Sequence, residues 1–286
     1  MPDALSATGS RTADCELRRG KGVSSDGLPI AYWDWGNRSG IPIVLLHGFS
    51  LDHSVWAPVY EQASLLEACR FIVPDLRGHG ASGRASTADS YLDGKLWADD
   101  MAAVIESSGV RRPTVVAWSY SGRMLFDYIR YYGTGTLAGI NLVAAASVAD
   151  PTAIGPDHLC LEALCSSEPR SAEAAAARFV SDVLRIGPDN ASFESIASAV
   201  RLVSPEHRLW MRRRVLDYDS VIAALDIPVL VTHGKLDRVV LPALAARLGR
   251  LVTHARISIY ENSGHAPFLE NPQRFGAELL RFASGA

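Results

Sequence analysis

Thr114-Val115-Val116-Ala117-Trp118-Ser119-Tyr120-Ser121-Gly122 is an apolar run that stops at a serine and passes directly into a helix-like stretch, Arg123 to Arg130. A chain that changes from strand to helix within one residue holds that residue in a tight backbone with its side chain clear of the surface. The small neighbours Ala117, Ser121 and Gly122 permit such a turn around Ser119. The pattern is a small-x-Ser-x-small elbow, with Ala117 and Ser121 where the usual G-x-S-x-G motif carries glycines. An elbow of this kind presents Oγ to a pocket and aims the first N–H groups of the helix at any oxyanion formed there. The hexapeptide alone is also readable as a turn whose serine merely caps the helix. The role of Ser119 therefore depends on partners elsewhere in the chain.

Before the elbow, Glu16 to Val23 and Leu28 to Trp35 are strand-like and separated by Ser24-Ser25-Asp26-Gly27, a hairpin signal. Ile41 to Leu46 is apolar almost without alternation, as a strand buried on both faces should be, and it ends in His47-Gly48-Phe49-Ser50. A helix-like stretch, Ser54 to Ala68, leads to the strand Phe71 to Pro74 and the glycine-rich loop Asp75-Leu76-Arg77-Gly78-His79-Gly80-Ala81-Ser82-Gly83. Leu92, Leu96, Met101, Val104 and Ile105 then fit one face of a helix from about Ser90 to Ser108.

After the elbow helix, Ile140 to Val143 reads as the next strand, and the repeated βα order predicts a parallel sheet with helices on both faces. The alternation stops between about Ala149 and Ser220. That segment has no convincing strand but three helical stretches, Ala172 to Ile186, Phe193 to Val203 and Pro205 to Leu216, the last opened by Ser204-Pro205-Glu206. An all-helical insertion of this kind reads as a cap lying over the sheet. The strand Pro228 to Thr232, the helix Pro242 to Leu251, the strand Arg256 to Tyr260 and a final helix from Asn271-Pro272 to Ala283 complete the pattern. The expected organisation is a leader over 1–14 without order, an α/β core over 15–148 and 221–286, and the helical cap over 149–220.

The 286 residues carry 28 Lys and Arg against 31 Asp and Glu, a net charge of −3, so nothing in the balance points to nucleic acid or an anionic membrane. No apolar run reaches the ~18–20 residues of a membrane span. The polar first fourteen residues lack the apolar stretch of a signal peptide. Cys15, Cys69, Cys160 and Cys165 form neither a CxxC pair nor a disulfide-dense pattern, so reduced thiols and a cytoplasmic location are expected, with a Cys160–Cys165 bridge as the alternative.

In a parallel α/β sheet ligands bind beyond the carboxyl ends of the strands. The residues just past those ends are His47-Gly48-Phe49, Asp75, Ser119, Asp150, Asp237 and His265. A serine, a carboxylate and a histidine therefore share one edge of one sheet, in the order Ser, Asp, His. Acyl transfer needs each of them. A free serine hydroxyl is a weak nucleophile, so His265 would take its proton and later protonate the leaving group. Asp237 would hold the imidazole in the required tautomer, with Asp150 as its competitor because it follows the preceding strand. The backbone N–H groups of Phe49 and Tyr120 would form the oxyanion hole. Trp118 and Trp56 are candidates for the acyl pocket, with a core position as the alternative. Asp75, His47 and His79 read as loop organisers, and His53, His158, His207, His233 and His254 as surface or packing residues. Arg212-Arg213-Arg214 is most simply a solvated helix face, and otherwise a carboxylate-recognising site.

His47-Gly48-Phe49, Asp75-Leu76-Arg77-Gly78-His79-Gly80, Trp118-Ser119-Tyr120, Gly234-Lys235-Leu236-Asp237 and Gly264-His265-Ala266-Pro267 together resemble the α/β-hydrolase superfamily, in its capped-esterase and cofactor-free haloperoxidase-like branch. The resemblance covers residues 16 to 284. It implies an eight-stranded, mostly parallel sheet with the cap inserted after strand six, and a serine hydrolase of a small or medium carboxylic ester or lactone, needing no metal or organic cofactor. Relatives with an aspartate nucleophile are set apart by Ser119. Three other readings stand beside this one: perhydrolysis with hydrogen peroxide as acyl acceptor, cofactor-free oxygenase or lyase chemistry on His265 and Asp237, and a small-molecule receptor on a hydrolase fold.

Overall fold

The computed structural model describes residues 17–147, 150–215 and 217–285. The expected leader, Cys15 and the expected helix end at Leu216 lie outside the described residues. Eight strands form one sheet: β1 (Arg18–Val23), β2 (Pro29–Gly36), β3 (Ile41–Leu46), β4 (Cys69–Pro74), β5 (Thr114–Trp118), β6 (Gly139–Val143), β7 (Val229–Gly234) and β8 (Arg256–Tyr260). Their order is β1-β2-β4-β3-β5-β6-β7-β8. β1 and β2 pair antiparallel, as do β2 and β4, and every other pair is parallel.

The apolar runs become the middle of this sheet. Every residue of β5, β6 and β7 is buried, which is what helices on both faces require of a central strand. Full burial of each Val, Leu or Ile contributes roughly 1.5–3 kcal/mol. The elbow strand β5 lies between β3 and β6, so Ser119 emerges at the middle of the sheet's carboxyl edge.

Three helical stretches expected to be continuous are broken. Over Ser54 to Ala68 the chain makes a 3-10 turn at His53–Trp56, a short helix at Ala57–Tyr60 and another at Ala63–Ala68, with Gln62 extended between them. Gln62 Nε2 donates to the carbonyls of both Pro58 and Pro272, fixing the break against the C-terminal helix Pro272–Ala283. The helix expected from Ser90 stops at Leu92 and restarts at Gly94–Ser108, where the Asp93 side chain accepts from Lys95 N as an N-cap. The single stretch expected over Ala172 to Ile186 is a helix at Pro169–Arg178 followed by a π turn at Phe179–Val183.

Between β6 and β7 the regular structure of the described chain is helical, apart from one bridge from Ile154 to Val240 beyond β7. This segment is tied to the sheet edge by named bonds. Arg208 Nε donates to Ser50 Oγ at 2.9 Å, Tyr120 Oη donates to the Met211 carbonyl at 3.1 Å, and Asp127 accepts from both Arg214 and Tyr218. Cys69, Cys160 and Cys165 are free thiols. No helix among the described residues is long and apolar enough to cross a membrane.

Candidate active site

Ser119 has φ +54°, a left-handed conformation that only a tight turn imposes on a non-glycine residue. The turn is held from three sides. Ser119 N donates to the Val143 carbonyl at 2.9 Å, Ala146 N donates to the Ser119 carbonyl at 2.9 Å, and the helix Ser121–Tyr132 starts immediately afterwards. Ser121, where the usual motif has glycine, is fully buried, and its Oγ lies 3.0 Å from the Leu46 carbonyl and 2.9 Å from that of Trp118. The hydroxyl thus ties the elbow to the end of β3.

His265 Nε2 lies 2.9 Å from Ser119 Oγ, and Nδ1 lies 2.8 Å from Asp237 Oδ2. Asp237 Oδ1 accepts from Val239 N at 2.8 Å and from Val240 N at 3.0 Å. Burial opposes the charge on Asp237, but the attraction of His265 and hydrogen bonds from His233 and His265 outweigh it and hold the carboxyl well below the ordinary carboxylate range. An ionised Asp237 accepts from Nδ1–H, which leaves Nε2 of a neutral ring free to accept from the serine hydroxyl.

Asp150 makes different contacts. It caps the turn Pro151–Ala153 and pairs with Arg247 at 3.0 Å. Asp237 is the carboxylate against His265. His233, expected as a surface or packing residue, is buried, with Nε2 2.8 Å from the Val240 carbonyl and 3.3 Å from Asp237 Oδ2. Because the carbonyl only accepts, Nε2 carries the hydrogen, and the imidazole supports the Asp237 loop.

Phe49 and Tyr120 flank Ser119 in one cavity, lined also by Arg123, Ala146, His158 and Leu161. Among the described residues neither the Phe49 nor the Tyr120 N–H donates to a protein acceptor. The loop carrying Phe49 is rigid for identifiable reasons. His47 Nε2 accepts from Leu76 N at 3.0 Å, His79 Nε2 accepts from Ser50 N at 3.1 Å, and Asp75 accepts from His53 N at 2.8 Å and Ala81 N at 2.7 Å. Burial lowers the proton affinity of His47 and His79, consistent with neutral rings that accept backbone N–H groups.

The two tryptophans lie away from this cavity. Trp56 is fully buried and stacks on Phe268 with centroids 4.0 Å apart. Trp118 is 1% exposed, and its Nε1 donates to the His265 carbonyl at 2.9 Å. Large flat side chains flanking the elbow fill the space beneath it, so the pocket assignment of both is corrected to core. The solvated-face reading of Arg212-Arg213-Arg214 is also corrected. Arg213 is exposed, but Arg214 is buried against Asp127 and Arg212 is half-buried and lines the cavity. Among the described residues no group of three or more His, Cys, Asp or Glu side chains is arranged to hold a metal ion.

Residues 43–278 match the model of the alpha/beta hydrolase family. The chain belongs to that family. It is 30% identical to a non-heme chloroperoxidase of Streptomyces lividans, over 91% of this chain and 98% of that protein. It is 26% identical to a bifunctional esterase/perhydrolase of Acinetobacter calcoaceticus, again over 91% and 98%. Among solved structures, an esterase from Rhodococcus sp. ECU1013 superposes with a TM-score of 0.85 at 33% identity, covering 93% of this chain and 98% of that one. This member of the alpha/beta hydrolase family thus has both esterases and non-heme haloperoxidases among its relatives.

Proposed function

We propose that the protein is a serine hydrolase of carboxylic esters or lactones, acting through an acyl-enzyme on Ser119. The observation that carries this reading is the continuous chain Ser119 Oγ, His265 Nε2, His265 Nδ1, Asp237 Oδ2 at 2.9 and 2.8 Å, beside two amides that donate to no acceptor among the described residues. Ser119 Oγ attacks the carbonyl carbon as its proton passes to His265 Nε2, and Asp237 stabilises the imidazolium. The Phe49 and Tyr120 amides receive the oxyanion, each such donor stabilising the transition state by ~3–4 kcal/mol. Collapse breaks the ester bond and the alcohol leaves with the proton from His265. Water then repeats the sequence, releasing the acid and restoring Ser119. The helices of 149–220 act as the cap that selects acyl and alcohol groups.

The names of the Streptomyces and Acinetobacter relatives favour one second reading, in which hydrogen peroxide replaces water as acceptor and a peracid forms. Both readings require an activated serine. Intact-mass and peptide-level labelling with a fluorophosphonate tests this without knowledge of the substrate. Single labelling at Ser119, absent from Ser119→Ala and His265→Ala, is the expected result. Silence toward both a large and a small phosphonate in folded protein sinks the serine mechanism. Comparing peracid with acid production then separates the two acceptors, and activity that survives Ser119→Ala moves the chemistry to a His265–Asp237 base.

A further inference from the structure

Arg123 lies one helical turn beyond Ser119 and lines the same cavity as Ser119, Phe49 and Tyr120. Its Nε and Nη1 are buried and have no hydrogen-bond acceptor among the described residues. The guanidinium sits 4.8 Å from the centroid of the Tyr120 ring, which partly compensates the charge but accepts no fork of N–H groups. Other cations stand close by. Arg212 lines the cavity and Arg214 lies near it, and both disfavour the charge on Arg123 that burial already penalises. His158 faces Arg212 Nη1 through Nε2 at 3.3 Å and also lines the cavity.

Among the described residues no carboxylate lines this cavity. The nearby carboxylates serve other arginines: Asp127 pairs with Arg214, Glu162 with Arg212 and Asp150 with Arg247. Buried charges are ordinarily paired, and a guanidinium matches a carboxylate with two parallel N–H···O bonds. The missing counter-charge is therefore one that arrives with the substrate. One helical turn is about 5.4 Å of axis, so an anion on Arg123 stands a short chain away from a carbonyl at Ser119.

We propose that the substrate carries a free carboxylate a few bonds from its scissile carbonyl, held by Arg123 with Arg212 lining the same cavity. This rests on the reading of Ser119 as nucleophile and adds a substrate class to it, the half esters of short dicarboxylic acids and lactones of equivalent shape.

The probes are the monomethyl esters of succinate, glutarate and adipate, each beside the neutral isostere in which the carboxylate is a primary amide. Calorimetry on the Ser119→Ala protein reads binding without turnover. At least one acid should bind about 10-fold or more tighter than its amide, and adding Arg123→Gln should remove most of that difference. In the otherwise wild-type enzyme, Arg123→Gln should lower the acid-to-amide ratio of kcat/KM about 10- to 100-fold, mainly through KM, with Arg123→Lys restoring part of it. Arg212→Gln should lower the same ratio by a smaller factor, which covers the case in which Arg123→Gln does not fold. Equal binding of acid and amide across all three chain lengths overturns the proposal. So does an unchanged ratio in a folded Arg123→Gln enzyme whose only defect is a lower Tm, which would give the guanidinium a packing role on Tyr120. Carboxylate-dependent binding with neither turnover nor phosphonate labelling would instead remove the serine reading and leave the anion site standing.

Discussion

Trp118 Nε1 donates to the backbone carbonyl of His265 at 2.9 Å, joining the residue before the elbow serine to the loop that carries the histidine. The two lie 147 positions apart, and the indole is buried, so the bond fixes their spacing without help from water. Trp118→Phe keeps an aromatic ring in the core but deletes the donor and leaves a cavity where the larger indole packed. We expect a stability loss of about 2–4 kcal/mol from the unpaired carbonyl and the lost packing together. We also expect kcat to fall up to about tenfold as the His265 loop relaxes, with KM little changed. Urea denaturation and steady-state kinetics on one ester check both. A drop in stability with kcat intact would mean the loop is held by other contacts.

Ser119→Ala and His265→Ala should each abolish turnover by several orders of magnitude and, combined, should cost little more than either alone, because the two groups act as one unit. Asp237→Asn should reduce kcat about 10⁴-fold by presenting the wrong tautomer. It should also change the pH dependence of stability. The Asp237 carboxyl is held below its ordinary value of 3.8, so between the two values the unfolded chain binds the proton more readily. Its contribution is complete above about pH 4 and is lost as pH falls through the folded-state value. The stability gap between wild type and Asp237→Asn should therefore narrow on acidification below about pH 4. A gap independent of pH would remove the ionised carboxylate from the account.

Much of this arrangement was legible in the chain. β3, β5, β6 and β7 declared themselves because strands buried on both faces are apolar without alternation, and Ser119, Asp237 and His265 follow strand ends, where the backbone leaves the sheet. The helix breaks at Gln62 and Asp93 were not: the first is fixed by Gln62 to Pro272 across 210 positions, and the second by an Asp93 cap on Lys95 N that apolar periodicity alone does not register. The site's second histidine and its unpaired arginine were missed as well. Nothing local distinguishes His233 beside Asp237 from a packing histidine. Likewise, Arg123 occupies a helix position that an exposed arginine would fill equally well. Burial without a partner is a property of the assembled neighbourhood.

Ser121 stands where the motif ordinarily has glycine, yet it is not a neutral replacement. Ser121→Ala leaves the Leu46 carbonyl without its hydroxyl donor and should cost about 1–2 kcal/mol. Ser121→Gly restores the usual motif but should be less stable still, by a further ~0.5–1 kcal/mol, because glycine loses more backbone freedom on entering the helix. Denaturant midpoints at constant m give the order serine, alanine, glycine. A glycine variant as stable as wild type would show that the Leu46 bond contributes nothing to holding the elbow.

Gly234 ends β7 where the backbone of the histidine loop crosses it. A Cβ there would lie 1.9 Å from the Gly264 carbonyl oxygen, and that atom belongs to backbone that cannot swing aside as a side chain would. The only relief is to push the His265 loop away from the Asp237 turn. Gly234→Ala should therefore destabilise by about 1–3 kcal/mol. It should also lengthen the 2.8 Å Asp237–His265 contact and lower kcat by about 10²-fold, the effect of a displacement near 1 Å at a reacting group. Gly135→Ala is the control, since a Cβ there meets open space and should change stability by less than ~0.5 kcal/mol. Fluorophosphonate labelling rates on both variants, taken with their unfolding curves, separate a displaced histidine from a partly unfolded protein. A Gly234→Ala protein that labels at the wild-type rate would mean that the two loops can part without disturbing His265 at Ser119.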